Sequence, residues 1–438
     1  MENNIPDDVN TNAISERKYS TLLKVVVVLL RLFVGGVFIF SGFLKAIDPW
    51  GTIYKFNEYL IVFGLSDYLD LSSFLATVVA ISEFVLGIMT FTGIYRRLAP
   101  LGILIMMLVM LPLTLYLAIT NVVSDCGCFG DFIQLSNTAT FVKNIFITTG
   151  AILLLIYNCR LVNYFGVAVQ WLIVVASTIY VGTITFIGLY YQPMLDFRDF
   201  KVGTAIVEQA SDDEKSDIQF IYSNGIEQRV FAIDNLPEAG SEWQFIDRVV
   251  PENPEKDRAF LSIISDGDDI TEKVIDSEDK MLLLLFPDID KVEISYTFAI
   301  NELYDFASRK NIKFVALTAG NDSIVERWRD LSMAAYEIYN IDDSILKQIA
   351  RGNPAIVYVE NGKIVWKTSM QSIPLERFEE SIASLSDLST QINETSLLRY
   401  SLFYVGFLFL LLIINRTHRL PKINRFLEAR YKSLIGEQ

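Results

Sequence analysis

Six long apolar runs constrain this chain more than any other feature of its sequence. Each has a length with which an α-helix can cross the hydrocarbon core of a bilayer, although the fourth is short. The predicted spans are about Leu22–Phe43, Phe74–Ile94, Leu98–Ile119, Phe141–Tyr157, Val167–Tyr190 and Leu397–Asn415. The fifth and sixth runs are far apart in the chain, so a region of soluble character lies between them, over about 192–395.

The composition agrees with a membrane protein that carries a soluble, acidic part. Hydrophobic residues make up 52% of the chain, and the formal net charge is −15. Because binding to a phosphate backbone needs a basic face, we expect no nucleic-acid partner. The single histidine, His418, lies in a basic tail, which removes Ser-His-Asp and Cys-His catalysis, zinc sites with two histidines, and bis-histidine haem. No metal or haem is therefore expected.

Lysine and arginine clusters predict which side of the membrane each loop faces. They precede the first span, separate the second from the third and the fourth from the fifth, and follow the sixth. The residues are Arg17, Lys18, Lys24, Arg96, Arg97, Arg160, Arg416, Arg419, Lys422 and Arg425. With six spans, all of them fall on one side, which the positive-inside rule assigns to the cytoplasm. We predict a bacterial inner-membrane protein with both termini cytoplasmic and residues 192–395 periplasmic.

The spans and the soluble region together predict the domain organisation. Residues 1–20 are polar and have no apolar core before a cleavage site, so they are interpreted as a disordered cytoplasmic tail and not as a signal peptide. The other predicted segments are a four-helix membrane domain at 21–160, a fifth transmembrane helix at 166–190, a β-rich linker or subdomain at 192–279, a thioredoxin-like domain at 280–390, a sixth transmembrane helix at 396–415 and a basic cytoplasmic tail at 416–438.

The soluble region changes character near Lys280. Before it, two short β-prone runs flank Asn224-Gly225, a pair favoured in type I′ hairpin turns. After it, the pattern predicts strand Met281–Phe286, helix Glu293–Arg309, strand Ile312–Leu317, helix Ile324–Met333, a hairpin around Asn361-Gly362 and a closing helix Leu375–Leu385. This order is typical of a thioredoxin-like sheet, and Pro354 stands where that fold keeps its cis-proline. Residues 287–293 contain no cysteine, so this domain cannot itself exchange disulfides. It is interpreted as a binding domain or as a folded remnant.

Two of the three cysteines, Cys126 and Cys128, lie one residue apart in a polar loop between the third and fourth spans. A disulfide across one residue closes a small ring and is comparatively easy to reduce, as an exchanging disulfide must be. The loop is predicted to face outward, where a bacterium permits disulfides, while Cys159 is predicted on the cytoplasmic face. The alternative is a glycine-rich turn with two buried thiols and no exchange. A metal site is a weaker interpretation, because two thiolates leave a tetrahedral set half empty.

Charged residues within the spans are the other candidate site. Arg31 and Glu83 are at similar predicted depths in adjacent antiparallel helices, so we predict an ion pair that either holds the helices together or handles protons or quinone. Lys45 and Asp48 end the first span. Lys45 could lower the pKa of a nearby thiol or neutralise an anionic substrate. The alternative is a lysine that snorkels to the interface before an Asp-Pro helix stop.

These residues resemble two known families of membrane proteins. The first two spans resemble the DoxX superfamily of small four-helix membrane proteins through Arg31, the segment FSGFLKAIDP at 40–49, Glu83 with Gly87, and Tyr95-Arg96-Arg97. The segment CGCFG at 126–130, followed by Lys143-Asn144, is more similar to the MauE branch. With Asp199-Phe200-Lys201-Val202-Gly203 opening a soluble region, the whole chain resembles DoxX-type proteins of Bacteroidetes that have a C-terminal thioredoxin-like domain.

The resemblance implies a membrane component of thiol or sulfur redox chemistry. MauE-type proteins are associated with disulfide formation in a periplasmic partner, and DoxX-type subunits with the passage of electrons to quinone. Cys126 and Cys128 would then be the exchanging pair, and the polar membrane interior would contain Arg31, Lys45, Asp48 and Glu83. Quinone is the implied cofactor, and the implied partners are membrane lipid and a periplasmic thiol protein or thioredoxin-like partner. The competing hypothesis is a noncatalytic membrane scaffold whose periplasmic domain binds an envelope protein. The client, the quinone and the oligomeric state are left open.

Overall fold

The computed structural model forms two compact units, one of residues 1–197 with 392–438 and one of residues 198–391. The residues that the structure describes are 8–123, 126–133, 135–157, 165–206, 219–223, 228–232, 244–249, 260–265, 268–275, 280–373 and 394–435. Among these residues, the first unit contains six helices long and apolar enough to span a membrane: Leu22–Ile47, Ser66–Thr92, Leu98–Thr120, Asn137–Tyr157, Val167–Tyr190 and Thr395–Arg416. The prediction of six spans in a polytopic membrane protein is therefore confirmed.

The helices and strands of the described residues follow in chain order. The helices are α1 (Asp8–Ile47), α2 (Pro49–Val62), α3 (Ser72–Thr92), α4 (Leu98–Thr120), α5 (Asn137–Tyr157), α6 (Val167–Tyr190), α7 (Thr271–Val274), α8 (Tyr296–Arg309), α9 (Asp322–Ser332), α10 (Asp343–Ile349) and α11 (Glu394–Ile435). The strands are β1 (Gln219–Ser223), β2 (Gln228–Ala232), β3 (Gln244–Val249), β4 (Ile264–Ser265), β5 (Asp268–Asp269), β6 (Lys280–Phe286), β7 (Lys313–Thr318), β8 (Glu337–Asn340), β9 (Ala355–Glu360) and β10 (Lys363–Ser369).

Two features at the ends of the first span differ from the predictions. Residues 8–20 were expected to be disordered, but α1 begins at Asp8, because no glycine or proline interrupts the chain between Pro6 and Gly35. The second difference is the additional helix α2, which the prediction omitted. Asp48 caps it by accepting a hydrogen bond from the Gly51 amide at 3.1 Å, and Pro49 occupies its first turn. Asp48, predicted in the polar membrane interior, therefore acts as a helix cap.

Helices α1 and α3 pack closely because glycines line their contact. A Cβ atom at Gly35 would lie 2.7 Å from the Phe91 backbone nitrogen, and one at Gly87 would lie 2.5 Å from the Ile39 backbone nitrogen. A Cβ atom at Gly42 would also clash with the backbone of α3. Small residues allow two membrane helices to approach this closely. The same contacts set the antiparallel register in which Gly35 faces Phe91 and Ile39 faces Gly87.

The sixth span packs against α6 through paired aromatic and hydroxyl groups. The rings of Tyr180 and Tyr404 stack with centroids 4.2 Å apart and planes 4° apart. The Tyr180 hydroxyl lies 2.7 Å from Ser401 Oγ, and the Tyr404 hydroxyl lies 2.6 Å from Ser177 Oγ. Each tyrosine therefore hydrogen-bonds a serine on the opposite helix, and α11 is an integral part of the membrane unit.

The soluble unit contains a mixed five-stranded sheet of order β10-β9-β6-β7-β8. Strands β6, β7 and β8 are parallel, whereas β9 is antiparallel to both β6 and β10. Alternate residues of β6 contribute to two separate buried clusters, such as Leu282 to one and Leu283 to the other. A strand covered on both faces is apolar throughout, which explains the run Met281–Phe286. The Asn353-Pro354 peptide bond is cis, as predicted.

A second sheet has the order β2-β1-β3. Strands β1 and β2 pair antiparallel with Ser223 opposite Gln228, which confirms the predicted hairpin pairing. The Asn224-Gly225 turn, the predicted helix Leu375–Leu385 and Cys159 lie outside the described residues. The mixed sheet in the C-terminal part is confirmed, and its thioredoxin-like assignment stays a prediction.

Candidate functional site at the Cys126-Cys128 loop

Glycines shape the loop between α4 and α5. Gly127 and Gly130 have φ values of 64° and 56°, in the left-handed region that favours glycine. A Cβ atom at Gly127 would also lie 2.8 Å from Cγ of Lys55, a residue of α2. The turn between the two cysteines is therefore tight and packs directly on α2. Only glycine at this position fits both its backbone conformation and the space available.

The two cysteines, both free thiols, have different surroundings. Cys128 is buried, with 8% of its surface exposed, among Leu44 and Phe129. Cys126 is half-buried, and its sulfur accepts a hydrogen bond from the Cys128 amide at 3.3 Å. The same sulfur lies 3.6 Å from Thr140 Oγ1 in α5. Cys126 is thus the more accessible thiol, and it has polar neighbours that can stabilise its thiolate.

Side chains from α1 and α2 hold the backbone of both cysteines. The Cys128 carbonyl accepts hydrogen bonds from Ser41 Oγ at 2.7 Å and from Lys45 Nζ at 2.8 Å. The Cys126 carbonyl accepts one from the Tyr59 hydroxyl at 2.8 Å. Ser41 and Lys45 are one helical turn apart and so share a face of α1. The loop is consequently attached to two helices by the carbonyl groups next to its reactive sulfurs.

Lys45 forms a buried ion pair with Glu83 of α3. Lys45 Nζ lies 2.8 Å from Glu83 Oε2, and the two side chains are 3% and 8% exposed. Lys45 Nζ also donates to Ser41 Oγ at 2.7 Å. A buried charge needs a partner of opposite sign and further hydrogen bonds, and Lys45 has both. The structure therefore brings Cys128, Lys45 and Glu83 into one connected network.

The predicted ion pair between Arg31 and Glu83 is wrong. In the register set by Gly35 and Phe91, Arg31 is level with about residue 95, so Glu83 lies roughly 12 residues, or about 18 Å of helix rise, further along α3. Arg31 Nε instead donates to the Thr90 carbonyl at 3.3 Å. The prediction assumed that the ends of both apolar runs lie level. Because α1 continues well beyond the end of α3 at Thr92, that assumption fails, and Arg31 is not part of the site.

Hydrogen bonding and burial move the pKa values of the two thiols in opposite directions. The pKa of Cys126 falls to about 6, first because the Cys128 thiol hydrogen-bonds to its sulfur, and further because of Thr140, the positive charge of Lys143 and the Cys128 amide, all against the effect of burial. The pKa of Cys128 rises well above its ordinary value because of its hydrogen bond to Cys126, its burial and the negative charge of Cys126. Lys143 and Lys45 lower it in part.

Four further residues complete the site, and the prediction did not assign them to it: Ser41, Tyr59, Thr140 and Lys143. Lys143 Nζ lies over the Phe129 ring, 4.4 Å from its centroid. The four-residue spacing of Ser41 and Lys45 would have placed both on one helix face. Asp48-Pro49 would have signalled the start of the helix that carries Tyr59. For Thr140, whose role depends on how α5 packs against the loop, the sequence carries no signal.

The chemistry available here is that of two thiols beside a buried ion pair. Within the described ranges no group of three or more His, Cys, Asp or Glu side chains could hold a metal ion. Lys45 lies within the first candidate span, and its three donors are directed at Ser41, Glu83 and Cys128. All three donors are therefore engaged, and Lys45 has none left for a quinone carbonyl.

Comparison with known proteins locates one similarity in the membrane unit. Residues 23–157 match the sequence model of a family described as methylamine utilisation protein MauE. The matched residues contain the loop with Cys126 and Cys128 and nearly all of the first four candidate spans, but amount to less than half of the chain. No curated protein and no solved structure matches the chain.

Proposed function

We propose that this protein is an inner-membrane thiol–disulfide oxidoreductase in which Cys126 and Cys128 oxidise a periplasmic thiol protein and return electrons to quinone. The observation that carries the proposal is the inequality of the two thiols. Cys126 is half-buried and has a pKa near 6, whereas Cys128 is buried and has a raised pKa. In an exchanging pair, one sulfur is attacked by the client thiolate, and the second departs as a thiolate and later re-forms the disulfide.

The exchange proceeds in two balanced steps. A client thiolate attacks Cys126 Sγ, a client–Cys126 disulfide forms, the Cys126–Cys128 bond breaks, and its electron pair stays on Cys128 as a thiolate. A second client thiolate then attacks the client sulfur of the mixed disulfide and releases Cys126. The low pKa of Cys126 makes it a good leaving group in this second step. The client loses two electrons and two protons, and an acceptor of the quinone class balances the cycle.

The predicted membrane topology supports a periplasmic location for the loop with Cys126 and Cys128. Six spans and the distribution of lysine and arginine support a loop that faces outward, where disulfides persist in bacteria. The match of residues 23–157 to MauE supports assignment of the loop to a membrane protein of this type. Quinone as the acceptor rests on the resemblance to DoxX-type proteins alone, so the experiment must test it separately from thiol exchange.

The soluble unit is proposed to be a thioredoxin-like domain that recognises a client. The order of its five-stranded sheet, the antiparallel pair β9 and β10, and the cis Asn353-Pro354 bond support this assignment. No cysteine follows β6. Instead, the Asn353 side chain donates to the Asp288 carbonyl at 2.6 Å and accepts from the Asp288 amide at 3.3 Å. The loop after β6 is therefore tied to the cis-proline segment through hydrogen bonds.

The redox state of Cys126 and Cys128 in the membrane tests the proposal. Cells with and without respiratory quinone are trapped in acid, and mass-tagged alkylation of their membranes counts reduced thiols. We expect a disulfide that becomes reduced when quinone is removed. Cys159→Ser is the matched control, since it removes the third cysteine and leaves the loop pair intact. Two thiols that stay reduced under all conditions would contradict thiol exchange. A disulfide whose redox state is the same with and without quinone would contradict only the assignment of quinone as the electron acceptor.

A noncatalytic scaffold is the second candidate function. The observation that favours it is the soluble unit, residues 198–391, which contains no cysteine at all. A scaffold would retain its envelope partner after Cys126→Ser and Cys128→Ser, as measured by copurification of the full chain. In the Cys128→Ser variant of an exchanging protein, the Cys126 thiolate would instead attack a disulfide-bonded client, break that disulfide and retain the client as a mixed disulfide, because the second sulfur that would release it is absent.

A further inference from the structure

We propose that Ser41 and Lys45 are positioning residues for the leaving sulfur: they anchor the Cys128 carbonyl, and the Lys45 ammonium stabilises the thiolate that forms at Cys128 when the client attacks Cys126. The inference deepens the proposed function and rests on it. It assigns to the Lys45–Glu83 pair a task in disulfide exchange in addition to holding two helices together.

The contacts of Lys45 leave its ammonium group little freedom. An ammonium has three donors, and Lys45 directs them at Ser41 Oγ, Glu83 Oε2 and the Cys128 carbonyl at 2.7–2.8 Å. Ser41 donates its own proton to the same carbonyl. Two donors on one carbonyl fix the position of Cys128 relative to α1. The positive charge is consequently held at a constant place beside the residue whose sulfur becomes an anion.

Burial makes a nearby positive charge necessary at Cys128. A thiolate in an apolar site is unfavourable, and the surroundings of Cys128 are mostly apolar side chains such as Leu44 and Phe129. Two lysines act on this thiolate, Lys45 from α1 and Lys143 from α5. Lys143 also acts on Cys126, so its charge stabilises the thiolate of either cysteine. The charge of Lys45 stabilises the thiolate of Cys128, the buried leaving sulfur.

Glu83 is the partner of opposite charge that the buried Lys45 needs. A buried ion without such a partner is strongly destabilising, and Glu83 Oε2 lies 2.8 Å from Lys45 Nζ. Its place on α3 also ties the charge to the close α1–α3 contact. Loss of Glu83 is therefore expected to weaken both the stability of the membrane unit and the reactivity of Cys128.

The test uses the full chain in nanodiscs and measures two rates that need neither quinone nor client. The first is reduction of the Cys126–Cys128 disulfide by dithiothreitol. The second is alkylation of Cys128 in a Cys126→Ser background. Because loss of a nearby opposite charge raises a thiol pKa by about one or more, we expect Lys45→Met to slow both rates about tenfold. Lys45→Arg, which keeps the charge, is expected to restore most of each rate. Lys55→Met is the matched control, since it removes a lysine near Gly127 and keeps the Cγ that packs there.

A charge swap separates positioning from simple helix pairing. Lys45→Glu combined with Glu83→Lys keeps opposite charges between α1 and α3 but places a carboxylate next to the Cys128 carbonyl. We expect the swap to recover thermal stability and to leave both rates low. Recovery of the wild-type rates by the swap would overturn the inference. If the swapped chain does not fold, Ser41→Ala, a smaller change, is decisive: we expect rates about twofold to fourfold lower, and unchanged rates overturn the inference.

The test distinguishes failure of the positioning role of Lys45 from failure of the proposed thiol exchange. If the wild-type disulfide is reduced by dithiothreitol and Lys45→Met reacts at the same rate, the positioning role is wrong and thiol exchange stands. If no oxidant produces a Cys126–Cys128 disulfide in the wild type, the proposed function fails. The alkylation rate of Cys128 then still tests whether Lys45 acts on that thiol.

Discussion

Cys126 and Cys128 are separated by only one residue in the chain, yet the fold surrounds them with different groups. The Cys126 sulfur has the Cys128 amide at 3.3 Å and Thr140 Oγ1 at 3.6 Å, whereas Cys128 is enclosed by apolar side chains. Hydrogen bonds to a thiolate favour it, and burial without them opposes it. The inequality of the two thiols is therefore a consequence of the hydrogen bond between them and of how the loop sits on α1, α2 and α5.

The first prediction concerns the pH dependence of thiol alkylation. The thiolate is the reactive form, so the alkylation rate of Cys126 should rise with pH, reach half its maximum near pH 6 and level off above it. Cys128 should react little at neutral pH because its pKa is raised. Mass spectrometry of the two sites after brief iodoacetamide treatment measures both. A midpoint for Cys126 near the ordinary value of about 8.5 would contradict the hydrogen-bonded geometry.

The second prediction concerns Lys143, whose charge lowers the pKa of Cys126. Lys143→Met should move the alkylation midpoint of Cys126 upward by about one pH unit, because the thiolate loses a nearby positive charge. Lys143→Arg keeps the charge and the contact with Phe129, and should leave the midpoint near its wild-type position. Equal midpoints in all three proteins would show that hydrogen bonds alone set the reactivity of Cys126.

At the scale of elements, the α1–α3 contact determines which charges meet. Gly35, Gly42 and Gly87 let the two helices approach until backbone touches backbone, and this fixes a single register. In that register Lys45 faces Glu83, and Arg31 faces Thr90 and Gly93. Small residues on the helix surfaces thus decide the ion pair that anchors the loop.

The third prediction concerns this glycine contact. Gly42→Ala should destabilise the membrane unit by about 1–3 kcal/mol, because its methyl group would meet the backbone of Phe84 and force the helices apart. Gly36→Ala is the matched control on the same helix, since nothing lies within 4 Å of a Cβ atom there. Thermal unfolding in nanodiscs measures both. Equal losses in the two variants would mean that helix propensity and not close packing is responsible.

The fourth prediction concerns the docking of α11 on α6. Tyr404→Phe removes the hydroxyl that bonds Ser177 and keeps the ring that stacks on Tyr180, so the cost should be about 0.6 kcal/mol, the average for hydrogen bonds between membrane helices. Tyr404→Ala also loses the stack and should cost several times more. Tyr400→Phe, at an exposed position of α11, should change nothing. The same unfolding assay compares the three variants. A large loss of stability in Tyr400→Phe would contradict the assignment of Tyr404, and not Tyr400, to the face of α11 that packs on α6.

At the scale of the whole molecule, the chain consists of a membrane unit and a soluble unit. The membrane unit contains Cys126 and Cys128 with the network that holds them, and the soluble unit, without a thiol, has a mixed sheet. Two chain crossings connect them, one after α6 and one before α11. The proposed function requires that the loop and the soluble unit face the same side of the membrane.

The fifth prediction concerns that side. In a cysteine-free chain, Ser323→Cys at the start of α9 should be labelled by a membrane-impermeant thiol reagent added to intact spheroplasts. Arg97→Cys, an exposed position between α3 and α4, should be labelled only after the membrane is opened. The physical reason is the positive-inside distribution of lysine and arginine. If Arg97→Cys alone were labelled in intact spheroplasts, the topology would be the reverse of the one predicted, and periplasmic thiol exchange would be excluded.

Much of the fold could be predicted from local patterns. The six apolar runs, strands β6, β7, β9 and β10, helices α8 and α9, and the cis-proline at Pro354 were predicted, whereas strand β8 and helix α10 were missed. Two local signals were undervalued: the uninterrupted helix-forming stretch from Asp8, and the Asp48-Pro49 pair that opens α2. Of the site residues, Cys126, Cys128, Lys45 and Glu83 lie together, whereas Arg31 and Asp48 do not.

The sequence by itself determined where the chain enters the membrane and where it can turn, because hydrophobicity, glycine and proline act on each residue's own segment. The tertiary structure decided which distant side chains meet. Glu83 pairs with Lys45 and not with Arg31 because glycine contacts set the register of α1 and α3. Cys126 and Cys128 differ because helices far apart in the chain supply Tyr59, Thr140 and Lys45 around them. Such contacts depend on interhelical register and packing, which no single segment encodes.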